Sequence, residues 1–163
     1  MEGAGTHDGL LVRKIENGTV IDHIGAWESD LVVKVLRLDR ARADGQMMSV
    51  AILQNVASGR AGRKDIIKLD GLFIDEGEAD IICLVQPAVT VNYIRGWKAM
   101  KYTPKVPDTI EGRLRCPELQ CISNAKREPV AARFRTLKAE RLLQCHYCDS
   151  LLEFDMIPDH VRY

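Results

Sequence analysis

The last third of the chain carries Cys116-x4-Cys121 and Cys145-x2-Cys148, two close cysteine pairs with 23 residues between them. A short loop can present two sulfurs to one side, and folding can bring two such loops together around one tetrahedral ion. Zinc accepts four thiolates without redox chemistry, and a shell of four protein ligands leaves no open position for water. Such a site is structural. It would staple a C-terminal unit too small to rely on its own core. The loops lack the cysteine run of an iron–sulfur protein, and a metal-dependent hydrolase would need the position that four cysteines fill. His146, inside the second pair, is expected beside the site rather than in it. Cys83 stands apart among Ile82, Leu84 and Val85, where a small buried hydrophobe is expected. Five cysteines in all, with no basic-then-apolar stretch in residues 1–8, suit a reducing, cytoplasmic setting better than a disulfide framework.

The chain is expected to divide just before these cysteines. Lys101-Tyr-Thr-Pro-Lys-Val-Pro-Asp108 contains Pro104 and Pro107, which favour extended backbone and cannot donate to a sheet ladder. The expected domains are therefore 1–103 and 104–163. In the first, Leu10–Ile15 and Thr19–Ile24 read as strands around Asn17-Gly18, forming either a tight hairpin or one kinked strand. Ser29 reads as the N-cap of a helix in which Leu31, Val35 and Leu38 recur at helical spacing. Met47–Gln54 and Asp65–Leu69 read as strands. Asp75 with Glu78 forms a capping box for a helix to about Gln86, and Thr90–Ile94 and Trp97–Lys101 close the unit as strands. The order β-α-β-β-α-β with an added strand predicts an α+β fold, a ferredoxin-like sandwich followed by a small, mainly β zinc-binding domain.

Charge narrows the partners. Lys and Arg number 23 against 23 Asp and Glu, so net charge gives no reason to expect nucleic acid or a membrane surface. The longest apolar run, Ile81–Val85, is far shorter than the ~20 residues of a spanning helix. Gly59-Arg-Ala-Gly-Arg-Lys-Asp65 is basic but lacks the glycine spacing and the Ser or Thr of a phosphate loop, and its flanks read as strands rather than the helices of a KH clamp. A solvated hairpin with basic tips is one reading. In the other, Lys64 and Lys68, an even number apart on an extended segment, offer two cations to a polyphosphate. Asp22 and His23 are adjacent, and neighbours on a strand face opposite sides, so they cannot readily act on one reacting atom. Binding suits them better, with His23 on phosphate and Asp22 or Asn92 on a sugar or base.

Taken in order, Gly18-Thr-Val-Ile-Asp-His-Ile24, Gly62-Arg-Lys-Asp-Ile-Ile-Lys68, Val91-Asn92, Cys116-Pro-x3-Cys121-Ile-Ser and Cys145-x-Tyr-Cys148 resemble the regulatory-chain family of aspartate carbamoyltransferase from about Leu10 to Phe154. The resemblance implies a non-catalytic chain that dimerises through its N-terminal allosteric domain, three such dimers tying two catalytic trimers together. It implies CTP and UTP as inhibitors and ATP as activator of an early step of pyrimidine synthesis, with the zinc domain touching the catalytic chain. Carried over by motif, the nucleotide site comprises Ile15, Val20, Asp22, His23, Lys64, Lys68, Asn92, Ile94 and Lys101, and the metal ligands are Cys116, Cys121, Cys145 and Cys148. The family pattern departs at Trp97 and Ala99, where it tends to have tyrosine and valine. Lys101 is displaced by one residue, and Gly25 replaces a frequent proline. Residues 155–163 match no motif. The alternative is a zinc-ribbon nucleic-acid binder using Lys126, Arg127, Arg133, Arg135, Lys138 and Arg141.

Overall fold

The computed structural model describes residues 12–38, 47–59, 62–127 and 130–162. Strand β1 (Gly18–Gly25), helix α1 (Ser29–Leu36), β2 (Ser49–Ser58), β3 (Gly62–Asp70), α2 (Glu76–Val85), β4 (Thr90–Arg95) and β5 (Lys98–Tyr102) come first. They build an antiparallel five-stranded sheet in the order β2-β3-β1-β4-β5. This is the split β-α-β arrangement expected of a ferredoxin-like sandwich, extended by β5 at one edge. β6 (Thr109–Glu111), β7 (Arg133–Leu137), β8 (Leu142–Cys145) and β9 (Leu151–Glu153) form a second antiparallel sheet in sequence order. A 3-10 turn over Ile122–Asn124 and another over Phe154–Asp159 flank it.

Alternation gives the first sheet its two faces. Ile21, Ile67, Leu69 and Val91 point to one side and are fully buried with Val32 and Leu36 of α1 and Ile82 of α2. The odd–even pattern leaves Val20, Lys68, Asn92 and Lys101 on the other side, which no helix covers among the described residues. The second sheet buries Phe134 and Leu143. Its closing 3-10 turn packs against both helices, so the segment that matched no motif supplies Ile157 and Val161, after Phe154, to a core continuous with that of the first sheet. Cys83 sits in that core, with its thiol 3.7 Å from the Pro104 carbonyl, as its apolar neighbours predict.

Four local expectations change. Residues 12–15 are irregular rather than a strand, and Leu10 and Leu11 lie outside the described residues. Asn17-Gly18 makes no hairpin. Asn17 instead accepts from Gly71 N–H through its carbonyl and from Gly96 N–H through its side chain, pinning the chain as it enters β1. A Cβ at Gly18 would collide with the Leu69 carbonyl, so the glycine is there for close approach, not for a turn. Helix α1 stops at Leu36, two residues short of the expected Leu38, because Arg37 adopts a left-handed conformation. Ser29 is the first helical residue and not the cap. Its backbone N–H and that of Trp27 donate to the carboxylate of Asp65 on β3, at 2.9 and 3.0 Å. A side chain 36 residues away thus satisfies a helix start that looked self-capped. By contrast, Asp75 accepts from Glu78 N–H at 2.8 Å while Glu78 accepts from Asp75 N–H at 3.0 Å, the reciprocal box that the residue spacing predicts for α2.

Candidate functional site

The second sheet positions four sulfurs. Cys145 ends β8 opposite Phe134, and Cys148 follows in the turn to β9, where Asp149 N–H donates to the Cys145 carbonyl. Cys116 and Cys121 flank a second turn, braced by Asn124, whose amide donates to the carbonyls of Cys116 and Glu118. All four Sγ atoms lie within 4.8 Å of one another. Cys116 and Cys148 are 3.4 Å apart, and Cys121 and Cys145 are 3.8 Å apart, too far for disulfides. A tetrahedral ion with metal–sulfur bonds of ~2.3 Å requires edges of ~3.8 Å, so the cluster has the size of a single-ion shell. A cluster of several irons and sulfides would hold its thiolates farther apart.

The donor set also calls for a cation. Burial pushes the Cys116 and Cys145 thiols up. At Cys148 burial acts in the same direction but is outweighed by hydrogen bonding to Ser150, and that thiol falls to about 7. A divalent ion at the centre would make all four thiolates favourable at once. His146 is exposed, edge-on to Tyr147, and takes no part in the cluster.

On the helix-free face of the first sheet, cross-strand register lines up Ala51, Lys68, Val20, Asn92 and Lys101 in one row over all five strands. Ile94 lies on the same face beside Gly18, and Asp22 lies opposite Thr90. Lys101 stands directly across from Asn92, so the lysine displaced by one residue is the one that reaches this face. Lys68 donates from Nζ to the carbonyls of Val12 and Arg13 at 3.3 and 3.2 Å, drawing residues 12–17 over the sheet. The result is a cleft of about 610 Å³ whose lining includes Ile15, Lys68, Asp70 and Trp97. Trp97 is 63 % exposed, with its backbone fixed by donation to the Glu16 carbonyl.

Asp22 and His23 depart from the expected opposition. The β1–β3 register slips between Ile21 and Ile24, leaving an extra residue, and His23 adopts φ 59°. This bulge turns the imidazole back toward its neighbour: Nδ1 lies 3.0 Å from the Thr90 hydroxyl and 3.9 Å from Asp22 Oδ1. The same Asp22 oxygen accepts from Lys64 Nζ at 2.8 Å, a largely buried pair. Lys64, His23 and Asp22 therefore form one cluster at the end of the polar row. The motifs do not name two features here, the Thr90 hydroxyl and the strap that carries Ile15. Thr90 could have been found from Asn92 by period-two alternation, whereas the strap of residues 12–17 has no local signal. Within the basic hairpin, Arg63 is engaged by Asn55, and Arg60 lies outside the described residues.

Comparison with known proteins accounts for both halves. Residues 10–104 match the family model of the aspartate carbamoyltransferase regulatory chain, allosteric domain, and residues 108–158 match that of its metal binding domain. Regulatory chains from Archaeoglobus fulgidus and Hyperthermus butylicus are each 40% identical to this chain, over 88% and 94% of it and 94% of their own lengths. The regulatory chain of Pyrococcus abyssi is 42% identical over 91% of this chain and 95% of its own. With these matches spanning both sheets, the chain belongs to the family of aspartate carbamoyltransferase regulatory chains, the non-catalytic subunit of that enzyme.

Proposed function

We propose that this chain binds nucleoside triphosphates on the helix-free face of its first sheet and transmits their presence to catalytic chains of aspartate carbamoyltransferase. The observation that carries the reading is the row Lys68–Val20–Asn92–Lys101, running into the Lys64–Asp22–His23 cluster and bordered by the cleft at Ile15. Cations at Lys64, Lys68 and Lys101, with the His23 ring beside them, suit a triphosphate, Asn92 and Asp22 suit a sugar or base edge, and Ile15, Val20 and Ile94 suit a base face. CTP and UTP are the inhibitory effectors and ATP the activating one in pyrimidine biosynthesis, in a reducing cytoplasm. Each ligand acts only by its differential affinity for two quaternary states, typically ~1–3 kcal/mol of coupling.

In this reading residues 1–103 are the allosteric unit and 104–163 the metal unit. Cys116, Cys121, Cys145 and Cys148 hold one structural zinc per chain, which shapes the surface that meets the catalytic chain. Two regulatory chains dimerise through the first domain, and such dimers link catalytic trimers. The outer edge of β2, with Val50 and Ile52 exposed, is one that a second copy could cover. The nucleic-acid alternative loses support, since Lys138 and Arg141 are paired with Asp108 and Asp155.

Calorimetric titration of the metal-loaded chain with CTP and ATP tests the site. Saturable binding is expected, and Lys68→Ala should weaken CTP about 10- to 100-fold, the loss of one charge-assisted contact to phosphate. Lys68 is the better probe than Lys64, whose removal also strands Asp22. Absence of saturable binding, with catalytic chains present or absent, would overturn the reading.

A further inference from the structure

We propose that Arg113 is a positioning residue that latches the metal-bearing sheet onto the first turn of α2, and that the regulatory response passes through this latch; the second clause rests on the function proposed above. Arg113 lies three residues before Cys116, just after β6. Its Nη2 is 3.0 Å from one oxygen of Asp75 and 3.1 Å from the other. Asp75 is the residue that caps α2. The backbone of Arg113 is fixed as well: Arg162 N–H donates to its carbonyl, and Gly112 N–H donates to Ala132. Leu114 bridges to Val161.

Gly77 supplies the second, independent observation. It sits in the first turn of α2 and is not among the glycines with positive φ, so its backbone does not require glycine. A Cβ built there would lie 2.9, 3.0 and 3.0 Å from Nη2, Cζ and Nε of Arg113. Three guanidinium atoms at one distance mean that the planar group lies flat on the helix backbone. The missing side chain makes room for it. Arginine can combine that stacking with the carboxylate contact, which lysine's point charge cannot.

The far end of α2 reaches the nucleotide face. Gln86, its C-cap, accepts from Gly25 N–H at 2.9 Å and donates to Glu28 at 2.7 Å, and Thr90 of the next strand holds His23. One rigid helix thus touches the bulged end of β1 at one end and the approach to the metal cluster at the other. The ion pair is exposed and contributes little to stability, so its effect belongs to orientation rather than to the fold.

A double-mutant cycle separates the latch from ordinary helix effects. Gly→Ala within a helix normally raises the melting temperature. Here Gly77→Ala should lower it or leave it unchanged in the wild-type background, because the methyl displaces the guanidinium, and should raise it in the Arg113→Ala background. In holoenzyme reconstituted with catalytic chains, Arg113→Ala, Gly77→Ala and Arg113→Lys should each reduce the fold-change in activity caused by CTP about twofold, a loss on the scale of one exposed pair. CTP affinity and metal content should stay at wild-type values. An equal rise in melting temperature in both backgrounds, or an undiminished CTP response in Arg113→Ala, would overturn the proposal. A wild-type holoenzyme indifferent to CTP would sink the nucleotide reading instead, and the thermal cycle would still decide the latch.

Discussion

Cys145→Ser is expected to abolish metal binding and to unfold the second sheet while leaving most of the first intact. The sheet has four strands of only three to five residues, and its apolar core side chains, Ile110, Phe134, Leu143 and Leu152, are few. Apolar burial on that scale does not offset the entropy of ordering some 55 residues at about 1–2 kcal/mol each. Structural zinc in small domains supplies about 10–16 kcal/mol of apparent binding free energy, all of it available only to the folded form. Cys145 is fully buried and registered against Phe134, so a serine there removes a ligand at the point where the sheet meets the cluster.

Metal analysis of the purified variant should show a loss of the bound ion, and amide exchange should show lost protection over residues 108–153. Protection should persist in β1, β3 and β4. Because Phe154, Ile157 and Val161 pack against α1 and α2, the first unit should also melt at lower temperature, by less than the second. Exhaustive chelation of the wild-type chain should reproduce this pattern. A serine variant retaining stoichiometric metal and wild-type exchange would refute a structural role for the cluster.

The features legible in the sequence share a property: each is carried by neighbours along the chain. The capping box of Asp75 and Glu78, the strand alternation around Asn92 and the paired cysteine loops all read directly. The features that were missed depend on partners remote in sequence. Ser29 directly precedes an apolar-periodic run, where a cap usually sits, yet Asp65 reaches the helix start from another strand. Unbroken alternation would put His23 on the face opposite Asp22. A bulge is invisible until the register of β1 against β3 is known. The tail after Phe154 carries Ile157 and Val161 at irregular spacing that suits neither helix nor strand. Its role as the seam between the sheets emerges only in three dimensions.

Replacing Asp65 should be among the most damaging changes in the first sheet. Its side chain is fully buried, and its two oxygens accept from Trp27, Ser29 and Asn55 N–H groups at 3.0, 2.9 and 2.8 Å. Trp27 and Asn55 both have positive φ, so the carboxylate holds two strained turns and a helix terminus together. Burial raises the pKa of this carboxyl, but the hydrogen bonds from Asn55, Trp27 and Ser29 outweigh it and hold the group below the usual carboxylate value. Asp65→Asn keeps the shape, yet its NH2 group must face one of the three donors. The expected loss is about 2–3 kcal/mol, rising to about 3–5 kcal/mol for Asp65→Ala, which leaves all three donors unpaired beside a void. A group whose pKa is depressed on folding contributes stability that is complete above its unfolded pKa and fades as pH falls through the folded value. Urea unfolding should therefore show a constant wild-type advantage over Asp65→Asn from about pH 5 to 8, shrinking below about pH 4 as the native carboxylate takes up its proton. An advantage that stayed the same size in acid would mean that packing, not the ionised carboxylate, holds the start of α1 to the sheet.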